Sequence, residues 1–209
     1  MLAEKIFAVA HLLDQVVLWF LLVLSVVSIG MILERYFSLK KITGESQRVR
    51  LRIKLALQSN SVEDVEDLAK DPSSLEGRAA GYAMKHMKEA GSRGLEEIFN
   101  TFALTERPEL EKSLNFLATV GSNAPYIGLF GTVLGIMKAF NDLAQASEAG
   151  QQTVMAGISM SLVATAAGLF VAIPAVIFYN YYNKQVRGIF QSLESVKELT
   201  LAYAKKKGV

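Results

Sequence analysis

The sequence predicts an all-α integral membrane protein, with three transmembrane helices carrying long helical extensions on one side. Two observations lead there. Of 209 residues, 51% are hydrophobic and 20% charged, and charge is missing from three long intervals: Gln15–Leu33 (19 residues), Ser113–Met137 (25) and Ala149–Asn183 (35). A helix rises about 1.5 Å per residue, so about 20 apolar residues cross a hydrocarbon core about 30 Å thick. The second observation is the distribution of Lys and Arg. Residues 34–112 hold 14 and residues 184–209 hold 6, whereas only Lys5 precedes the first interval and only Lys138 lies between the other two. The positive-inside rule then places 34–112 and the tail in the cytoplasm, with the N-terminus and the 139–152 connection outside.

The elements follow in order. Residues 1–14 form an outer arm and 15–33 the first span, VVLWFLLVLSVVSIGMIL at its heart. Glu4, Lys5 and Asp14 precede it and no small-x-small site follows, so it reads as an uncleaved span rather than a signal peptide. Within the helical 34–112 region, Leu51–Leu57 continues a basic amphipathic pattern. Ser61 with Asp64 resembles a capping box opening VEDVEDLAK, and Asp71-Pro72-Ser73-Ser74 ends that helix. Helices follow over 75–90 and 95–112, parted by Gly91-Ser92-Arg93-Gly94. Pro108 is expected in the first turn of a new helix running unbroken from about 108 to 140, through the second span (113–138). The 139–152 loop leads to the third span (153–183), ended by Tyr179, Tyr181 and Tyr182, and Ile189, Leu193, Val196 and Leu199 give the tail a helical period.

Composition closes several functional classes. A net charge of +2 is too small for a nucleic-acid binder. With no Cys and two His, His11 and His86, there is no disulfide, no thiolate metal site and no expected metal or cofactor. The two histidines fall on opposite sides of the membrane, so no enzyme is expected.

Chemistry at membrane depth rests on small residues and hydroxyls. Gly121, Ala124, Gly128, Gly131 and Gly135 make a stripe on the second span, and Gly157, Ser161, Ala164, Gly168 and Ala172 one on the third. Such stripes let helices pack closely where lipid supplies no hydrophobic drive. Thr132, Ser159, Ser161 and Thr165 lie at the same depth, with no carboxylate, Lys or Arg beside them. They either bond the carbonyl one turn back or line a polar path. Any titrating group on such a path has to come from another chain. A membrane scaffold in which the stripes only pack is the rival reading.

The run LEKSLNFLATVGSNAPYIGLFGTVLGIMKAF (110–140), followed by AGISMSLVATAAGLFVAIPAVIFYN (156–180), resembles the MotA/TolQ/ExbB ion-channel family, nearest its ExbB and TolQ members. The resemblance implies a homopentamer in the bacterial inner membrane, its N-terminal arm and 139–152 loop periplasmic. Spans two and three would line a central pore holding two copies of an ExbD/TolR-like single-span partner, which supplies a membrane aspartate. Proton flow would drive work on the periplasm or outer membrane, such as energising TonB-dependent uptake through a TonB/TolA-like protein; envelope maintenance, gliding and filament export are the alternatives. Thr132 and Thr165 correspond to the family's pore threonines, and Asn123, Pro125 and Pro174 to kink positions. Met160 stands where many relatives carry glutamate, which keeps a sodium-driven version open beside the proton-driven one. Anionic lipid headgroups are expected at Arg35, Lys40 and Lys41.

Overall fold

The computed structural model describes residues 2–59, 61–145 and 150–208; the side chains of 2–14, 145, 150, 151 and 153 are outside the description, His11 among them. The described residues form six helices: α1 (Leu2–Ser59), α2 (Asp64–Leu68), α3 (Leu75–Ala90), α4 (Leu95–Leu110), α5 (Leu114–Gln145) and α6 (Gly150–Lys207). Three of them, α1, α5 and α6, are long and apolar enough to cross a membrane. The helices divide into two compact units, an apolar one (1–34 and 113–180) and a polar one (35–112 and 181–209).

In the apolar unit backbones approach one another through residues with little or no side chain. A Cβ on Gly128 would sit 2.6 Å from the Ala164 carbonyl oxygen and 3.1 Å from the Gly168 Cα. One on Gly168 would lie 2.5 Å from the Ala124 carbonyl oxygen, so α5 and α6 touch backbone to backbone there. Farther along, Gly121 is closed by Val176, Gly157 by Ala139, and Gly131 by Ala164 together with Val17 of α1. Gly135 is buried as well. The outer surface of this unit is apolar: Trp19, Phe130, Met160 and Phe170 stand exposed, far more greasy surface than a soluble monomer shows.

The polar unit has an ordinary core. Buried residues of α6 (Tyr182, Val186, Ile189, Leu193, Val196, Thr200 and Tyr203) recur at steps of four and three, and Leu39, Ser46, Val49, Ile53 and Ala56 of α1 keep the same period. Thr43 donates to Gln185 at 3.1 Å across these two helices. α3 begins on a full cap: Ser74 accepts from the Gly77 N–H at 3.0 Å, while Asp71 takes both the hydroxyl and the N–H of Ser73, worth about 1 kcal/mol in such positions. Those two bonds, hydroxyl first, hold the Asp71 carboxyl below its usual range. Gly77 is required here, because a Cβ would overlap the Asp71 carbonyl. The α3–α4 turn uses Gly91 (φ 72°) and Gly94 (φ 82°), left-handed conformations that suit glycine. His86 braces that turn from Nε2 to the Arg93 carbonyl at 2.8 Å.

Two sequence expectations are corrected. The 108–140 helix is broken: Pro108 lies in the last turn of α4, and Ser113 takes a left-handed φ of 63° before α5 starts at Leu114. In that last turn the Pro108 ring removes the N–H that would bond the Leu104 carbonyl and crowds that carbonyl, a cost that a first-turn proline does not carry. Ser61 does not cap α2, whose N-cap is Glu63 without a side-chain bond. Helix also extends into the stretches expected as outer loop and outer arm: α5 reaches Gln145, α6 starts at Gly150 and α1 starts at Leu2.

Candidate functional site

Where α5 and α6 meet at Gly128 and Gly168, two hydroxyls are brought together. Thr132 Oγ1 and Thr165 Oγ1 are 2.5 Å apart. Thr132 is buried and also lies 3.3 Å from the Gly128 carbonyl and 3.2 Å from the Ser161 carbonyl. Thr165 is half-buried, on a face otherwise presenting exposed Leu162 and Leu169.

The geometry gives Thr132 one proton and three oxygens within reach. A hydroxyl donates once and accepts twice. If Thr132 donates to a carbonyl, Thr165 must donate to Thr132, leaving Thr165 an acceptor on its outer side. If Thr132 donates to Thr165, the Thr165 proton is free to point outward. The pair therefore offers either an acceptor or a donor to whatever stands beside Thr165, by rotating two O–H bonds and moving no heavy atom. In surroundings of low dielectric such bonds are stronger than in water.

The other expected ion-path residues separate. Ser161 is buried but its hydroxyl turns back to the Ile158 carbonyl at 2.7 Å; its contribution to the pair is its own carbonyl. Ser159 is exposed, outside this hydrogen-bonded set. Asn123 is exposed too, and its amide donates to the Thr119 carbonyl at 2.8 Å, not to the Gly121 carbonyl that Pro125 leaves without its usual donor. Pro125 and Pro174 both lie inside continuous helices.

Sequence reasoning missed a stripe that was present in the letters. Asn115, Thr119, Ser122 and Asn123 are all exposed on one face of α5, at the i, i+4, i+7 and i+8 spacing of a single helix face. Thr119 and Ser122 bond back to Asn115 and Ala118 carbonyls at 2.8 and 2.9 Å, so each hydroxyl is satisfied locally.

Arg35 is a correction. Expected among headgroups, it is fully buried, and its Nη1 donates to the Glu109 carbonyl at 2.8 Å and the Leu110 carbonyl at 3.4 Å. These belong to the last turn of α4, where helix carbonyls have no partner of their own and the dipole favours a cation. Lys40 and Lys41 do remain exposed and line a shallow recess with Phe37 and Arg48. Lys40 sits 5.6 Å from the centre of the Tyr36 ring.

Against the model of the MotA/TolQ/ExbB proton channel family, residues 72–195 match, more than half of the 209-residue chain. The chain belongs to the MotA/TolQ/ExbB family. Within it, 78 residues are 59% identical to a Tol-Pal system protein TolQ of Pseudomonas aeruginosa, covering 37% of this chain and 34% of that protein. A second TolQ, from Haemophilus influenzae, is 50% identical over 103 residues, 49% of this chain and 45% of the relative. A biopolymer transport protein ExbB of Aquifex aeolicus is 46% identical over 91 residues, 44% of this chain and 61% of the relative. The matches to the two TolQ proteins span only about a third to a half of their length. Membership in a family described as proton channels, together with three helices long and apolar enough to span, makes this a membrane protein.

Proposed function

We propose that the chain is the channel subunit of an ion-driven motor in a bacterial inner membrane, its N-terminus periplasmic and its polar unit cytoplasmic. It would assemble as a homopentamer around two copies of an ExbD/TolR-like single-span protein, whose aspartate takes and releases the proton. The observation that carries this is the Thr132–Thr165 pair. An isolated carboxyl in an apolar pore pays several kcal/mol to ionise. Beside Thr165 it can accept a hydrogen bond while charged and donate one while neutral, so both states stay accessible. The polar stripe Asn115–Asn123 supports the same reading, because such a face suits a pore or a partner better than lipid.

The 59% identity to the Pseudomonas TolQ, against 46% to the Aquifex ExbB, supports a TolQ-like machine that maintains the envelope through a TolA-like protein as the alternative to TonB-dependent uptake. Lys40 and Lys41, with Phe37 beside them, suit anionic headgroups at the inner leaflet, each worth about 1 kcal/mol. Proteoliposomes holding the protein with its partner are expected to dissipate an imposed pH gradient. Dissipation of a sodium gradient alone would reassign the ion, and no flux of either ion would favour the scaffold.

A further inference from the structure

The polar unit contains a cavity of about 680 Å³ that the channel reading leaves unused. That volume lies within the range of small-molecule sites. It opens between α2, α3 and the last turns of α6, and four ammonium groups line it: Lys70, Lys85, Lys88 and Lys207. Set against them is one lining carboxylate, Glu66, whose charge is engaged by a hydrogen bond from the Tyr203 hydroxyl. Lys70 shares its charge with Asp67 at 2.8 Å, and Lys207 lies 5.5 Å from the Tyr203 ring centre. Lys85 and Lys88 sit three residues apart on α3, facing the same side. Met84 and Met87 supply an apolar wall, and the bare Gly81, where a Cβ would come 3.2 Å from the Ala69 carbonyl oxygen, keeps that wall low.

The chemistry selects the ligand. A metal cation would meet four positive charges and a single, already bonded carboxylate. A neutral apolar ligand would leave the lysines idle. Compact ammonium groups act as point charges for phosphate oxygens, and the methionines suit a flat or apolar body. We propose that this cavity binds a small soluble phosphate-bearing molecule, the phosphates among Lys70, Lys85, Lys88 and Lys207 and the rest against Met84 and Met87. The lining residues of α2, α3 and α6 all lie outside the three long charge-free intervals, which favours a soluble ligand over a lipid.

Titration calorimetry on the purified full-length protein at low salt tests this, with ATP, inorganic phosphate and adenosine as probes. ATP is expected to bind, phosphate more weakly and adenosine hardly at all. Lys85→Gln/Lys88→Gln, both at exposed positions, is expected to weaken ATP by about tenfold or more, and Lys112→Gln/Lys184→Gln, exposed and away from the cavity, to leave it unchanged. Absence of binding by ATP and phosphate, adenosine binding as well as ATP, or an unchanged Lys85→Gln/Lys88→Gln variant would each overturn the proposal. So would a protein that ignores ATP yet floats with phosphatidylglycerol vesicles in a Lys85- and Lys88-dependent way.

Discussion

In the apolar unit α5 and α6 meet where Gly128 and Gly168 leave backbone against backbone, and the only polar exchange described at that crossing is the Thr132–Thr165 pair with two carbonyls. In the polar unit α1 and α6 instead bury a row of branched and aromatic side chains. Ions join its helices: the buried stem of Lys197 reaches Glu194 at 2.5 Å, Glu96 at 3.7 Å and Glu198 at 3.9 Å, and on the surface Lys206 reaches Glu63 at 2.7 Å. The Glu194 hydrogen bond foremost, then the surrounding carboxylates, raise the Lys197 pKa despite its burial. The contrast teaches where each unit's stability resides. Without water, apolar burial between helices gains little, so shape and a few buried hydrogen bonds decide. With water outside, the hydrophobic row dominates and exposed ion pairs add about 0–1 kcal/mol each.

The comparison can be broken first at the glycines. Gly128→Val is expected to have the largest effect, since its new atoms meet backbone that cannot step aside; overpacking costs about 1–3 kcal/mol or more. Loss of the assembled complex on size-exclusion chromatography checks it. A like substitution at Gly44, where a Cβ would meet nothing within 4 Å, should be silent for packing.

Arg35→Met comes next. It keeps the stem but leaves the Glu109 and Leu110 carbonyls without their donor, and a hydrogen bond to a charged group is worth about 1.5–3 kcal/mol. A lowered melting temperature with unchanged lipid content is the expected result. A loss of bound anionic lipid at constant melting temperature would return Arg35 to the headgroups.

The smallest effect sharpens the polar side. The Glu66 hydrogen bond, then burial, push the Tyr203 hydroxyl up to about 12, above tyrosine's usual value of about 10. A pKa raised by folding means that the stabilisation is full below about pH 10 and is lost as pH climbs from there toward 12. Tyr203→Phe should cost about 1 kcal/mol at neutral pH and flatten that alkaline fall in a pH series of thermal melts.

Much of this architecture was legible in the letters because it follows from absent charge or from local geometry. The three spans, the Gly91–Gly94 turn between α3 and α4, and the buried row Ile189, Leu193, Val196 and Leu199 are of this kind. The threonine pair was legible only through its motifs, since a hydroxyl at membrane depth reads equally as a local back-bond. What escaped was long-range. Arg35 beside a span has the signature of a headgroup ligand, and its carbonyl partners lie up to 75 residues away. Ser113 turns left-handed with no glycine to announce it, so the join of α4 and α5 could not be seen.

The central claim is that the Thr132–Thr165 pair switches between donor and acceptor for a charge carried by another chain. Its most direct test is ion flux through partner-loaded proteoliposomes of Thr165→Val, Thr132→Val and the double variant, each first shown to assemble. Valine keeps the shape and removes the hydroxyl. Flux is expected to fall about 10²-fold or more for either single variant and no further for the double, because one broken link disables the pair. Full flux in the assembled double variant would contradict the account and leave both threonines as packing residues.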